Sequence, residues 1–194
     1  MKLLVTLKML LIASLLIMCT GKAGAQDVVV KSNLLYLATA TPNLAMEFAT
    51  GGRQSLVLQG GWQPWEYSDT KKLKHWLVQP EYRWWTCETF NGHFFGLHAL
   101  GGQFNAGGLK LPFGAFPELE DHRYQGWAAG GGLSWGYHWM LGRKWGLELT
   151  LGLGYLYIDY KKYPCPGCGS AEKDANRHYV GPTKAAINLV YVLK

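Results

Sequence analysis

The chain reads as an all-β protein: a single transmembrane antiparallel β-barrel of eight strands, following a cleaved signal peptide. Three observations carry this reading. The N-terminus has the composition of an export signal, no later stretch holds the roughly 18 apolar residues of a spanning helix, and from Val28 to Leu193 segments of alternating polarity recur between turn residues. An exported chain with period-2 patterning and no spanning helix can satisfy every backbone amide in a bilayer by closing a sheet on itself.

The export signal comes first. Lys2 and Lys8 flank an apolar run from Leu10 to Met18, and Ala23-Gly24-Ala25 puts small residues at the positions a signal peptidase reads before Gln26. Cleavage is expected after Ala25, so residues 1–25 are the signal peptide and 26–194 the outer-membrane barrel domain. The apolar run is about half of the ~20 residues a transmembrane helix needs. Acylation of Cys19 is disfavoured, because Met18 is too bulky for the residue that precedes a lipoprotein cysteine.

What remains after cleavage suits one domain. The signal holds Lys2, Lys8 and Lys22 and no acid, which takes the net charge from +6 to +3. The only dense basic groups, Lys71, Lys72, Lys74 and Lys161, Lys162, fall in predicted loops and form no stripe, so nucleic acid is not an expected partner. Heavy use of glycine (25), tyrosine (11) and tryptophan (9) suits a membrane barrel with aromatic girdles.

Alternation and turn residues place strands at 28–37, 43–50, 54–62, 76–87, 93–104, 123–139, 145–160 and 179–193. The links after the second, fourth and sixth strands are short, around Gly51-Gly52-Arg53, Glu88 to Gly92 and Met140 to Lys144. Those at Gln63 to His75, Asn105 to His122 and Lys161 to His178 are long, and only the first outer link, Ala38 to Pro42, breaks the pattern. Short periplasmic turns and long external loops are the expected asymmetry of an outer-membrane barrel.

Period 2 also assigns the faces. In 145–160 one parity reads Trp145, Leu147, Leu149, Leu151, Leu153, Tyr155, Tyr157 and the other Gly146, Glu148, Thr150, Gly152, Gly154. A soluble barrel would turn the greasy parity inward and carry a well-charged exterior; here the opposite parity is glycine-rich with isolated charges, which suits a crowded lumen. Lipid is therefore the expected partner of the apolar face. The lumen then receives Lys31, Glu47, Glu81, Arg83, Glu148 and Lys184, with Asn33, Gln59, His98 and Asn188. Three acids face three bases, and buried ions must be paired, so a lumen-filling charge network is favoured over an ion pathway.

The remaining chemistry is sparse. Cys165 and Cys168 form a C-x-x-C pair in the last long loop; a local disulfide is favoured over a metal, since only His178 lies nearby in sequence and zinc usually takes four ligands. Cys87 is then an odd thiol near the opposite rim. Ser134 and His138, with Glu148 on the next strand, could serve as nucleophile, base and orienter of a lipid-modifying enzyme, but no nucleophile motif accompanies them. The expectation is a non-enzymatic barrel with no cofactor and no metal. Trp65, Tyr67, Phe113 and Phe116 place large apolar groups in the long loops, where other envelope or surface-assembly proteins could dock.

A set of segments resembles a known family: Val30-Lys31-Ser32-Asn33-Leu34-Leu35-Tyr36, Thr41-Pro42-Asn43-Leu44, His75 through Trp85, Asn91-Gly92-His93-Phe94, Arg123-Tyr124-Gln125-Gly126-Trp127 and Gly181-Pro182-Thr183-Lys184-Ala185-Ala186. In combination they are similar to the small outer-membrane proteins of Bacteroidota catalogued as a domain of unknown function. The resemblance covers nearly the whole mature chain. It implies the bacterial outer membrane as location and a barrel as fold, and association of some members with fimbria-related loci implies a role in surface assembly. Lys194 stands where many bacterial barrels end in an aromatic residue, with Tyr191 close by.

Overall fold

A computed structural model describes residues 28–68, 71–107, 122–163 and 173–193. These residues form nine strands: β1 (Val28–Asn33), β2 (Asn43–Gly51), β3 (Gln54–Gln63), β4 (Glu66–Ser68), β5 (Lys71–Trp85), β6 (Gly92–Gly107), β7 (Arg123–Met140), β8 (Trp145–Tyr163) and β9 (Lys173–Val192). All but β4 pair antiparallel to both neighbours and close into a ring of eight, with β3 joined to β5 and β1 to β9. The three-residue β4 folds back on the start of β5.

The ladder does not close on itself. Followed from Val192 through Val29, Glu47, Val57, Glu81, His98, Gly132 and Gly154, it returns to β9 at Gly181. That stagger requires strands tilted against the barrel axis. Glycines allow the close approach of β8 to β7: a Cβ on Gly130 or Gly132 would run into the carbonyl oxygen of Tyr155 or Leu153 on the facing strand.

Two sequence expectations are corrected. The first strand was expected to run to 37, but it ends at Asn33 and Leu34–Ala38 form a one-turn helix, α1. Asn33 Oδ1 accepts the Leu35 N–H at 3.0 Å as an N-cap, Ala40 takes the left-handed conformation (φ 53°) just past the turn, and Pro42 prevents continuation. Leu34, Leu35, Tyr36, Leu37 and Ala38 alternate poorly and suit a helix as well as a strand. Asn33 also accepts from Ile187 N–H (3.3 Å) and donates to the Ala185 carbonyl (3.2 Å), locking α1 to β9. Asn33→Ala is expected to cost about 0.5–2 kcal/mol, because the N-cap bond is lost and part-buried backbone groups of α1 and β9 lose their partner. Thermal or urea unfolding in detergent measures it.

The second correction concerns loop lengths. β5 starts at Lys71, β8 runs to Tyr163 and β9 starts at Lys173, so much of two expected loops is strand. Charged and polar residues ended the apolar alternation there, while hydrogen-bond pairing between β5, β6, β7, β8 and β9 continued past it.

At the end of the short turns the ring is plugged by Val29, Trp85, Phe90, Phe94 and Val190. Trp85 packs on Phe94 with centroids 4.9 Å apart and donates its indole N–H to Ser55 Oγ at 2.8 Å. No helix among the described residues is long and apolar enough to cross a membrane.

Candidate functional site

Immediately above this plug lies a cluster to which every strand of the ring contributes. Arg83 is its hub. Its Nε and Nη2 donate to Glu81 Oε2 at 3.0 and 2.8 Å, Nη1 and Nη2 reach both oxygens of Glu148 at 2.9 and 3.2 Å, and Nη1 lies 3.4 Å from Glu47 Oε2. Lys31 pairs with both Glu47 and Glu148, and Lys184 Nζ donates to Glu81 at 2.8 Å. The neutral groups fill the remaining lone pairs. Ser55 donates to Glu47, Ser134 to Glu81, and Thr150 and Asn188 to Glu148 Oε1 at 3.1 and 2.8 Å.

β6 contributes by what it lacks and by one ring. A Cβ on Gly96 would collide with Ser134 Oγ and Glu81 Oε1, and the Arg83 guanidinium lies 4.0 Å above the Phe94 ring. The six charged residues are 0–5 % exposed, so charge is balanced three against three out of contact with water. An unpaired ion at such a depth costs several kcal/mol, whereas bidentate pairing with saturated oxygens offsets the desolvation. The arrangement fills the lumen and fixes the side chains that cross it.

Asn33, Gln59, His98 and Asn188 are buried with the network. His98 Nε2 lies 2.8 Å from Thr183 Oγ1. Ser134 and His138 are four residues apart on one strand, about 13 Å along it. Ser134 is held by Glu81, and neither ring nitrogen of His138 has a hydrogen-bond partner. The structure therefore does not assemble them as nucleophile and base. At 1 % exposure, His138 packs against Trp85 and Gly146 instead.

The opposite face of the wall is apolar. On β8, Trp145, Leu151, Leu153 and Tyr155 are exposed, and on β7 Trp127, Leu133, Trp135 and Trp139. Aromatics gather at two levels. Trp84, Trp135, Trp139, Trp145 and Tyr191 mark the turn end, and Trp62, Trp76, Trp127 and Tyr157 the loop end. From Trp84 to Trp76 on β5 and from Trp139 to Trp127 on β7, the band is roughly 20–30 Å tall for tilted strands. Beyond it the same parity turns polar: Lys74 on β5, Gln103 on β6, Gln125 on β7, Asp159 and Lys161 on β8.

Of the loop residues, Trp65 donates its indole N–H to the Ala40 carbonyl at 2.6 Å, stapling the first long loop over the end of α1. The Tyr67 side chain, Phe113, Phe116, Cys165 and Cys168 lie outside the described residues, as does the signal peptide. Cys87 is an exposed free thiol in the turn after β5. No cluster of three or more metal-ligating side chains occurs among the described residues.

The family described as "Protein of unknown function (DUF3575)" matches residues 9–193. The chain belongs to this family. No curated protein and no solved structure matches it. Sequence reasoning set Thr150 on the inward parity but gave it no part in the network, and it overlooked Ser55 and the plug residues Trp85, Phe90 and Phe94. Ser55, Thr150, Trp85 and Phe94 share the inward parity of their strands, which is the signal that could have found them; Phe90 sits in a turn at positive φ and leaves no periodic trace.

Proposed function

We propose that the protein is a non-enzymatic barrel of the bacterial outer membrane, with a structural or protein-interaction role at the surface. The observation that carries this reading is the outward apolar band bounded by two aromatic levels. Its height matches the ~25 Å apolar belt of outer-membrane barrels, and exposed tryptophan and tyrosine at both edges suit the two interfaces. The charge network supports the same reading: a lumen packed with paired ions leaves an eight-stranded barrel no wide channel. The short turns then face the periplasm and the long loops the outside of a Bacteroidota cell, the setting that the resemblance implies.

Fractionation tests the location. The protein is expected in the outer-membrane fraction, resistant to alkaline extraction and heat-modifiable on gels; recovery in the soluble periplasm overturns the reading. An epitope tag near Ala115 is expected to be accessible on intact cells and one between Glu88 and Gly92 inaccessible, and the reverse labelling would invert the orientation. The interaction role rests on loop aromatics, since such residues dominate protein interfaces. Phe113→Ser with Phe116→Ser is expected to leave the barrel folded and to reduce recovery of co-purifying envelope proteins; unchanged recovery removes the loops from that role.

A further inference from the structure

Among the described residues, three shallow patches of the outer wall meet at Trp76. One, about 500 Å³, lies over β5, β6 and β7, floored by Ala99, Gly101 and Ala129 between Trp76 and Trp127. Another, about 470 Å³, lies over β2, β3 and β5, between Leu44, Gly60 and Val78, and no charged residue lines it. Above both, toward the loop end, a pocket of about 590 Å³ is lined by Lys74, Gln103, Asn105, Gln125, Asp159 and Lys161. Trp76 borders all three, and its indole N–H donates to Gln103 Oε1 at 3.2 Å, which fixes the ring between the two apolar grooves. Both floors are open: a Cβ added at Gly60 or Gly101 meets no atom within 4 Å.

From this arrangement we infer that the wall holds one phosphorylated glycolipid of the surrounding leaflet, with its headgroup in the upper pocket and two acyl chains straddling Trp76. The chemistry follows the order of such a lipid. Lys74 and Lys161, three strands apart at the two sides of the pocket, bring positive charge to the headgroup level, where phosphate is favoured. The Asp159 carboxylate would repel a bare phosphodiester but accepts hydrogen bonds from sugar hydroxyls, as the amides of Gln103, Asn105 and Gln125 also can. Below the headgroup, each groove offers apolar surface with no side chain standing in it, so a chain lying there is buried against the wall rather than mixed with bulk lipid.

The inference rests on the outer-membrane reading, but its test does not depend on where the protein is found. Protein purified in detergent is mixed with lipid A and examined by native mass spectrometry. Wild type is expected to keep a one-to-one adduct. The Gly60→Val, Gly101→Val double variant fills both grooves and is expected to lower its occupancy at least tenfold, while Leu153→Ala, on β8 outside the lining of all three patches, leaves it unchanged. Lys74→Gln with Lys161→Gln tests the headgroup pocket without touching the grooves, and the same loss is expected. Wild-type occupancy in either double variant, or equal loss in Leu153→Ala, overturns the inference. Failure of fractionation with intact lipid binding would count against the location alone.

Discussion

Arg83→Ala is expected to lower the stability of the folded barrel by about 3–5 kcal/mol, the range for removing one partner of a buried ion network. The guanidinium pairs with Glu81, Glu148 and Glu47, and its loss leaves those three carboxylates facing only Lys31 and Lys184. All three glutamates are at most 1 % exposed, so bulk solvent does not screen the unpaired charge. Glu88→Ala, in an exposed turn, serves as the control and is expected to change stability by about 0–1 kcal/mol. Unfolding midpoints in detergent compare the two, and equal midpoints would refute the assignment of Arg83 as the hub. Arg83→Lys is expected to fall between them, because an ammonium keeps the charge but cannot form the two-pronged contact with Glu148.

Gly132→Val is expected to prevent the barrel from closing. A Cβ there would strike the Leu153 carbonyl oxygen and stand 2.6 Å from Gly154 Cα and 2.8 Å from Leu153 C, all backbone of the facing strand. No rotamer change relieves a collision with backbone. The strands would have to separate there, losing paired hydrogen bonds at roughly 0.5–1.5 kcal/mol each along with the packing that follows. The test is the heat-modifiable band on a gel after refolding into detergent. Gly101→Val, where an added Cβ meets open space, should fold and show the band. A folded Gly132→Val barrel would show that the close approach of β7 and β8 does not need glycine.

The ring and its faces were legible because a strand writes its environment at every second residue. The alternation of Trp145, Leu147, Leu149 with Gly146, Glu148, Thr150 is the same whether β8 is read from sequence or traced in space. The six network charges stand on the inward parity for the same reason. What pairs with what was not legible, because Lys31 and Glu148 are separated by 117 residues and meet only through register and tilt. The helix α1 was missed because five residues are too few to show a period, and its start depends on one capping side chain. The reach of β8 and β9 past the apolar band was missed for a different reason. Polarity on the outer parity marks where lipid would end, not where pairing ends, and Asp159 still pairs with Asn176.

The seam between β1 and β9 also closes the charge balance of the cluster. Lys31 stands on the first strand and Lys184 on the last, while the three glutamates and Arg83 come between them. A sheet that lacks either β1 or β9 therefore carries surplus negative charge on its inner face. Val28 and Leu193 meet through a hydrogen bond of 2.9 Å only when the circle is complete. Full pairing of the three carboxylates thus requires β1 and β9 together, which favours all-or-none closure.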